Sequence, residues 1–212
     1  MGVPTSIARV RLYWHPFSVF PRRVRIALRE KAIRHEEVVV DLPGGATRSI
    51  DFRRLSPFGH VPVLDDDGLV VFESIAILEY LEERVPRPAL LPADPRDRAR
   101  ARQWMQAAGD YLAPPFKRWV MRFFTPEAEW DRADQEIAAG EIACHLDVLE
   151  EQLARQEYLV GEFSLADVCY APFVCEFAMA QLGALLEPRP GVHAWIERLR
   201  KRPSIASTGQ GS

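Results

Sequence analysis

The chain has little cysteine, no excess of positive charge and no long hydrophobic run, and each shortage closes a class of function. Its three cysteines, Cys144, Cys169 and Cys175, are odd in number and form no Cys-x-x-Cys pair. They fall inside apolar helical patterns and are expected to be reduced core thiols of a cytosolic protein. The five histidines are scattered without ligand spacing beside those cysteines, which argues against a metal. Net charge is −3, and the arginines are interspersed with acids, as with Asp94 and Asp97 in the stretch from Asp94 to Arg102, so no basic footprint marks a nucleic-acid partner. Nowhere do 18 apolar residues follow one another, and no apolar run of signal-peptide length opens the chain. A cytoplasmic protein without a membrane partner is expected. What is present is 48% hydrophobic content over 212 residues, enough for one large or two small domains with a substantial core.

The pattern changes midway along the chain. Val10–Trp14 is rich in β-formers, Val24, Ala27, Leu28 and Lys31 carry helical spacing to about Ala32, and Glu36–Val40 reads as a second strand. Strand, helix and strand of this length form a right-handed βαβ unit. After the Pro-Gly-Gly turn at 43–45 and an irregular helical stretch to Leu55, strands Val61–Leu64 and Leu69–Phe72 pair across Asp65–Gly68. A helix from Ser74 to about Arg84 closes a thioredoxin-like module at 1–84. Residues 85–92 lead a four-proline segment, 85–96, that no helix can cross, and they are expected to be a linker.

From 93 to 205 the pattern is helical throughout, with a kink at Pro114-Pro115 and a helix marked by Ile142, Leu146, Leu149 and Leu153. The fold class is therefore α/β plus all-α. Ser164 and Asp167 have capping-box spacing, with Phe163 and Val168 placed for a hydrophobic staple, so Asp167 is read as structural. The last helix runs from about Val192 to Lys201, and the Ser/Gly-rich end from Ser204 is expected to fray, with 206–212 as a tail.

Three places carry candidate chemistry. Ser18 lies at the turn between the first strand and the first helix, where a hydroxyl and a helix dipole can both meet an anion; equally, it can simply cap the helix. His15 is a second polar group in that turn. Pro62 lacks an N–H and reaches the cis form at a cost of only about 0.5–1 kcal/mol, so it can leave the backbone of Val61 open to an extended peptide. Glu73-Ser74 stands where a strand gives way to a helix, with Ser74 as the expected N-cap. A small peptide bearing carboxylates fits that frame.

In order and spacing, the first-strand motif, Ser-Pro-Phe-Gly-His-Val-Pro-Val-Leu at 56–64, Glu73-Ser74-Ile75-Ala76-Ile77, Leu-Leu-Pro-Ala-Asp-Pro at 90–95 and Ser-Leu-Ala-Asp-Val at 164–168 resemble glutathione transferases over nearly the whole chain. The resemblance is to the cytosolic, serine-class, bacterial-like type, in which the activating residue stands five before an Arg-Val-Arg triplet, as Ser18 does. It implies glutathione as co-substrate without a metal. It further implies that Val61 pairs with the cysteinyl portion of glutathione, that Glu73 and Ser74 hold the γ-glutamyl end, and that His60 faces the glycine carboxylate. The resemblance also implies a twofold homodimer, with the helix after Ser74 and the first helix of the second domain facing the partner. Phe17, Tyr111, Pro115 and Trp119 are the aromatic and apolar residues expected to line a pocket for a hydrophobic electrophile in the cleft between the domains.

Val19, where the family often has proline, departs from the pattern. The expected reaction is transfer of the glutathione thiolate to the electrophile. A glutathione-dependent cis-trans isomerase of the maleylacetoacetate type and a non-catalytic scaffold are the alternatives, and the Ser-Ser-Cys motif of the former is absent. Thiol-disulfide exchange is disfavoured because no cysteine precedes residue 144.

Overall fold

The computed structural model describes residues 10–177 and 179–209, so the first nine residues of the expected amino-terminal domain and residues 210–212 of the expected tail lie outside the described residues. The described chain divides between Pro88 and Ala89 into two compact units.

The first unit is a thioredoxin-like module. Strand β1 (Val10–Trp14), helix α1 (Val19–Glu30) and strand β2 (His35–Val39) form the βαβ unit, with β1 and β2 parallel. A short helix α2 (Ile50–Leu55), strands β3 (Val63–Asp66) and β4 (Leu69–Phe72) and helix α3 (Ser74–Arg84) follow. The sheet order is β2-β1-β3-β4, and β3 lies antiparallel to both of its neighbours. Alternation decides the faces: Val10 and Leu12 are buried, and α1 and α3 pack through Val24, Ala27, Leu28, Ile77, Leu78 and Leu81. Val40, Phe52, Val61 and Val63 form a second cluster with Tyr13, Leu55 and Phe72 at its margin.

The second unit is all-helical, built from α4 (Pro95–Ala107), α5 (Ala113–Met121), α6 (Arg132–Leu153), α7 (Leu165–Val174), α8 (Pro190–Arg200) and α9 (Pro203–Ala206). Ile142, Leu146, Leu149 and Leu153 are the buried stripe of α6, and α7 is buried along its whole length. The break expected at Pro114-Pro115 begins earlier, as one π-helical turn over Ala108–Leu112. Neither proline can donate to a carbonyl four residues back, at Asp110 and Tyr111, so the helix widens there before restarting as α5.

Three expectations are corrected. The end does not fray from Ser204, because α9 forms there, burying Ser204 and Ile205 and also Thr208, whose hydroxyl donates to Ser204 O at 2.9 Å. Of the three cysteines only Cys169 is buried in the core; Cys175 is half-buried and Cys144 exposed. The cap of α3 is Glu73, which makes Ser74 its first helical residue, because the chain turns at Glu73 with φ 69° and ψ 119°. Among the described residues no helix is long and apolar enough to cross a membrane.

Candidate active site

Strand register gathers three separate sequence motifs at one end of the sheet. Tyr13 pairs with Val63, and Val63 pairs with Phe72, so these three residues make one row across β1, β3 and β4. Neighbouring strands lie about 4.8 Å apart, so the row spans about 10 Å. Just beyond it β1 passes through His15–Ser18 into α1, Val61-Pro62 enters β3, and β4 passes through Glu73 into α3. The amino-termini of α1 and α3 thus both open at this end. The first turn of α1 carries no acidic residue to offset the positive end of its dipole, which suits an anionic ligand, whereas α3 starts from the acidic Glu73.

Ser18 occupies the N-cap of α1 with extended backbone (φ −99°, ψ 120°), yet its hydroxyl makes no capping hydrogen bond. Ser18 is thus the cap residue by position and backbone, without a side-chain bond to the helix. Its amide donates to His15 O at 3.0 Å, closing the turn. His15 is buried, accepts the Phe17 amide at Nδ1 (3.2 Å) and packs its ring 5.3 Å from that of Phe17.

Val61 joins Pro62 through a cis peptide bond and buries its side chain among Val40, Phe52 and Val63. The β3 ladder begins only at Val63, which leaves the Val61 backbone outside it. His60 is exposed, and its amide donates to the buried Ser56 Oγ at 3.1 Å. Gly59, at φ +68°, brings the chain to this point past Thr47, whose carbonyl oxygen would stand 2.8 Å from any added Cβ. Glycine is required there on both counts.

Glu73 is exposed, and its dihedrals fall outside the left-handed well, a conformation that costs about 1–3 kcal/mol in a non-glycine residue. Its side chain does not cap α3. Ser74 is buried, and its hydroxyl receives Nη1 of the buried Arg23 from α1 at 3.5 Å. Arg23 is the member of this region that the sequence did not single out. The signal was an arginine at a core-facing position of α1, between the buried Arg22 and Val24.

The residues expected to line a pocket are not alike in their surroundings. Phe17 and Tyr111 are 59% and 69% exposed, and Pro115 is buried. Trp119 is already committed within the helical unit: its indole donates to Ala180 O at 2.7 Å, and the Arg122 guanidinium sits 3.9 Å over its ring. A cavity of about 380 Å³ in the same unit is lined by Arg100, Gln103, Trp104, Gln152 and Gln156 among others, and Tyr111, Pro115 and Trp119 are not among its walls.

Asp167 is fully buried. Its carboxylate accepts from Ser164 N and Oγ, Leu159 N and Trp195 Nε1 at 2.9–3.1 Å, while Ser164 Oγ accepts from the Ala166 amide, so the capping box is formed. Burial pushes its pKa up to about 6 against those four donors. Among the described residues no group of three or more His, Cys, Asp or Glu side chains is arranged to hold a metal.

Residues 17–84 match the family described as Glutathione S-transferase, N-terminal domain, and residues 112–203 match Glutathione S-transferase, C-terminal domain. The chain is 34% identical to Glutathione S-transferase 3 of Zea mays, covering 95% of this chain and 94% of that protein. It is 40% identical to the Maleylacetoacetate isomerase of Rattus norvegicus over 72% of this chain and 70% of that one. The crystal structure of a glutathione transferase from Burkholderia graminis, with two glutathione molecules bound per subunit, superposes with a TM-score of 0.87 at 26% identity, covering 95% and 87% of the two chains. With matching sequence in both units and a matching fold, the chain belongs to the glutathione S-transferase family and is an enzyme of that family.

Proposed function

We propose that the enzyme binds glutathione across the sheet end where the three junctions meet, and that Ser18 stabilises its thiolate for transfer to a hydrophobic electrophile, as in the serine-class transferases. In this reading the Val61 backbone takes the cysteinyl portion, Glu73 and Ser74 take the γ-glutamyl amino and carboxylate groups, and His60 faces the glycine carboxylate. The carrying observation is the row Tyr13–Val63–Phe72, which brings motifs from three distant stretches to one place. The strained backbone of Glu73 supports the same reading, because such conformations cluster where function requires them. In this reading Phe17, an exposed aromatic of the turn before Ser18, offers the electrophile an apolar contact. A homodimer in the cytoplasm accompanies this reading and rests on the family resemblance.

Magnitudes allow Ser18 the role. A free thiol with pKa about 8.5 is only about 3% ionised at pH 7, and lowering that pKa by about two units takes roughly 2.7 kcal/mol of preference for the anion. One hydrogen bond to a charged group supplies about 1.5–3 kcal/mol, and a helix amino-terminus adds about 0.3–1 kcal/mol. Neither a general base nor a metal is needed.

The 40% identity with a maleylacetoacetate isomerase favours one second reading, in which the same thiolate adds to a conjugated double bond, allows rotation and leaves. Turnover with glutathione and, in turn, a halo-aromatic, an epoxide, an organic hydroperoxide and maleylacetone separates the two. Conjugation of a hydrophobic electrophile is expected. Turnover of maleylacetone alone would replace transfer by isomerisation, and failure of the folded protein to bind glutathione in a calorimetric titration would remove the site assignment.

A further inference from the structure

We propose that His15 is a positioning residue for thiolate activation: it closes the turn that presents Ser18, through its backbone carbonyl and its Nδ1 together. The inference rests on the reading of Ser18 as the donor to the glutathione sulfur.

β1 ends at Trp14 and α1 begins at Val19, so the four residues 15–18 must turn the chain from strand to helix. The Ser18 amide donates to His15 O at 3.0 Å, which is a β-turn with Pro16 at its second position. Proline suits that position because its ring fixes φ near −65°. Inside the turn the Phe17 amide donates to His15 Nδ1 at 3.2 Å. This copies an Asx turn, in which a short side-chain acceptor takes the N–H two residues ahead. The imidazole is buried and lies against the Phe17 ring, so packing holds Nδ1 in place.

Two consequences follow for the chemistry. With the turn closed by His15, the Ser18 hydroxyl is not used to cap the helix, since it makes no capping bond. With its Nδ1 lone pair occupied by an amide N–H, the neutral imidazole carries its proton on Nε2. The ring is then spent on holding the turn and is not a proton acceptor for the thiol. A serine hydroxyl displaced by a fraction of an ångström from its line to sulfur loses much of its hydrogen bond, so the geometry of the turn governs the ionisation of the thiol.

The chemistry of asparagine and glutamine supplies the test. Asparagine places its carbonyl oxygen close to where Nδ1 stands and can accept the Phe17 amide, whereas glutamine carries its polar atoms out to the Nε2 position. Thiolate absorbance of bound glutathione is titrated against pH in the full-length wild type, Ser18→Ala, His15→Asn and His15→Gln, with thermal unfolding recorded for each. Ser18→Ala is expected to raise the thiol pKa by about one to two units and His15→Gln by about half as much, with His15→Asn staying within about 0.2 unit of wild type. If Ser18→Ala moves the pKa and both His15 variants leave it at the wild-type value, or both raise it equally, the Nδ1 role is overturned while the Ser18 reading stands. If Ser18→Ala itself leaves the pKa unmoved, the Ser18 reading fails and the role of His15 fails with it. A fall in unfolding temperature in His15→Gln without a pKa change counts as packing alone and also overturns the proposal.

Discussion

Asp167 and His145 titrate over nearly the same pH range with opposite effects on stability. Burial lowers the His145 pKa to about 4, with Nε2 and Tyr170 Oη 3.0 Å apart, so the unfolded chain, at about 6.5, takes up the proton first. Stability from that residue is present above pH 6.5 and is lost as pH falls through 4, by about 3 kcal/mol in all. Asp167 is raised from 3.8 to about 6, so the folded state holds its proton more tightly, and stability present below pH 3.8 is lost as pH rises through 6, again by about 3 kcal/mol. The two slopes nearly cancel in the wild type. Asp167→Asn should therefore expose the histidine slope, with chemical unfolding showing about 3 kcal/mol lost between pH 6.5 and 4 where the wild type changes little. Equal slopes in both proteins would contradict this assignment. Glu73 acts at the same scale in the proposed glutathione site. Glu73→Ala should weaken glutathione binding by about 1.5–3 kcal/mol through loss of a charge-assisted hydrogen bond, measured by calorimetry. Unchanged affinity would place the γ-glutamyl end elsewhere.

At the level of elements, the caps show which features could be read from sequence. Ser164 and Asp167 were legible because a capping box is local, and Ser18 because it stands between a β-rich run and a helical one. Trp195 donating to Asp167 at 2.9 Å, Arg23 to Ser74 at 3.5 Å and Lys31 to Glu82 at 2.6 Å join residues 28, 51 and 51 positions apart, and no periodicity announces such pairs. The start of α3 was misplaced by one residue for a related reason. Serine is the better intrinsic cap, but the turn at Glu73 and the bond from Arg23 to the Ser74 hydroxyl set the register instead. Removing Asp167 by Ala leaves three buried N–H donors from the 159–164 loop and α8 without an acceptor and should cost about 3–5 kcal/mol, whereas Ser164→Ala should cost about 1 kcal/mol. Comparable losses in the two unfolding curves would mean that Asp167 is only a cap. Lys31 plays a similar joining role between α1 and the end of α3, where its ammonium also donates to Val85 O and Pro88 O at 2.7 and 2.9 Å. Lys31→Met should destabilise by about 3–5 kcal/mol, because the buried Glu82 carboxylate loses its cation, and adding Glu82→Leu should recover much of that loss.

At the scale of the whole molecule, the proline-rich segment excluded a helix but gave no sign of how it is held. Residues 85–88 are tied to the first unit by Lys31, while the Leu90 carbonyl accepts the Leu165 amide at 2.8 Å in the second. The thioredoxin-like and all-helical architectures were legible because period-2 and period-3.6 patterning change over at that segment. The walls of an electrophile site were not legible, since a solvent-facing aromatic such as Tyr111 and a committed one such as Trp119 carry the same helical spacing. The proposed chemistry requires that glutathione binds at the sheet end and is ionised there by Ser18. The direct measurement is the thiolate absorbance of bound glutathione against pH in wild type and Ser18→Ala, with calorimetry confirming saturation of both. A wild-type pKa below the free thiol value of about 8.5, a rise of about one to two units in the variant, and nearly unchanged glutathione affinity are expected. Identical titration curves in the two saturated proteins would contradict ionisation by Ser18.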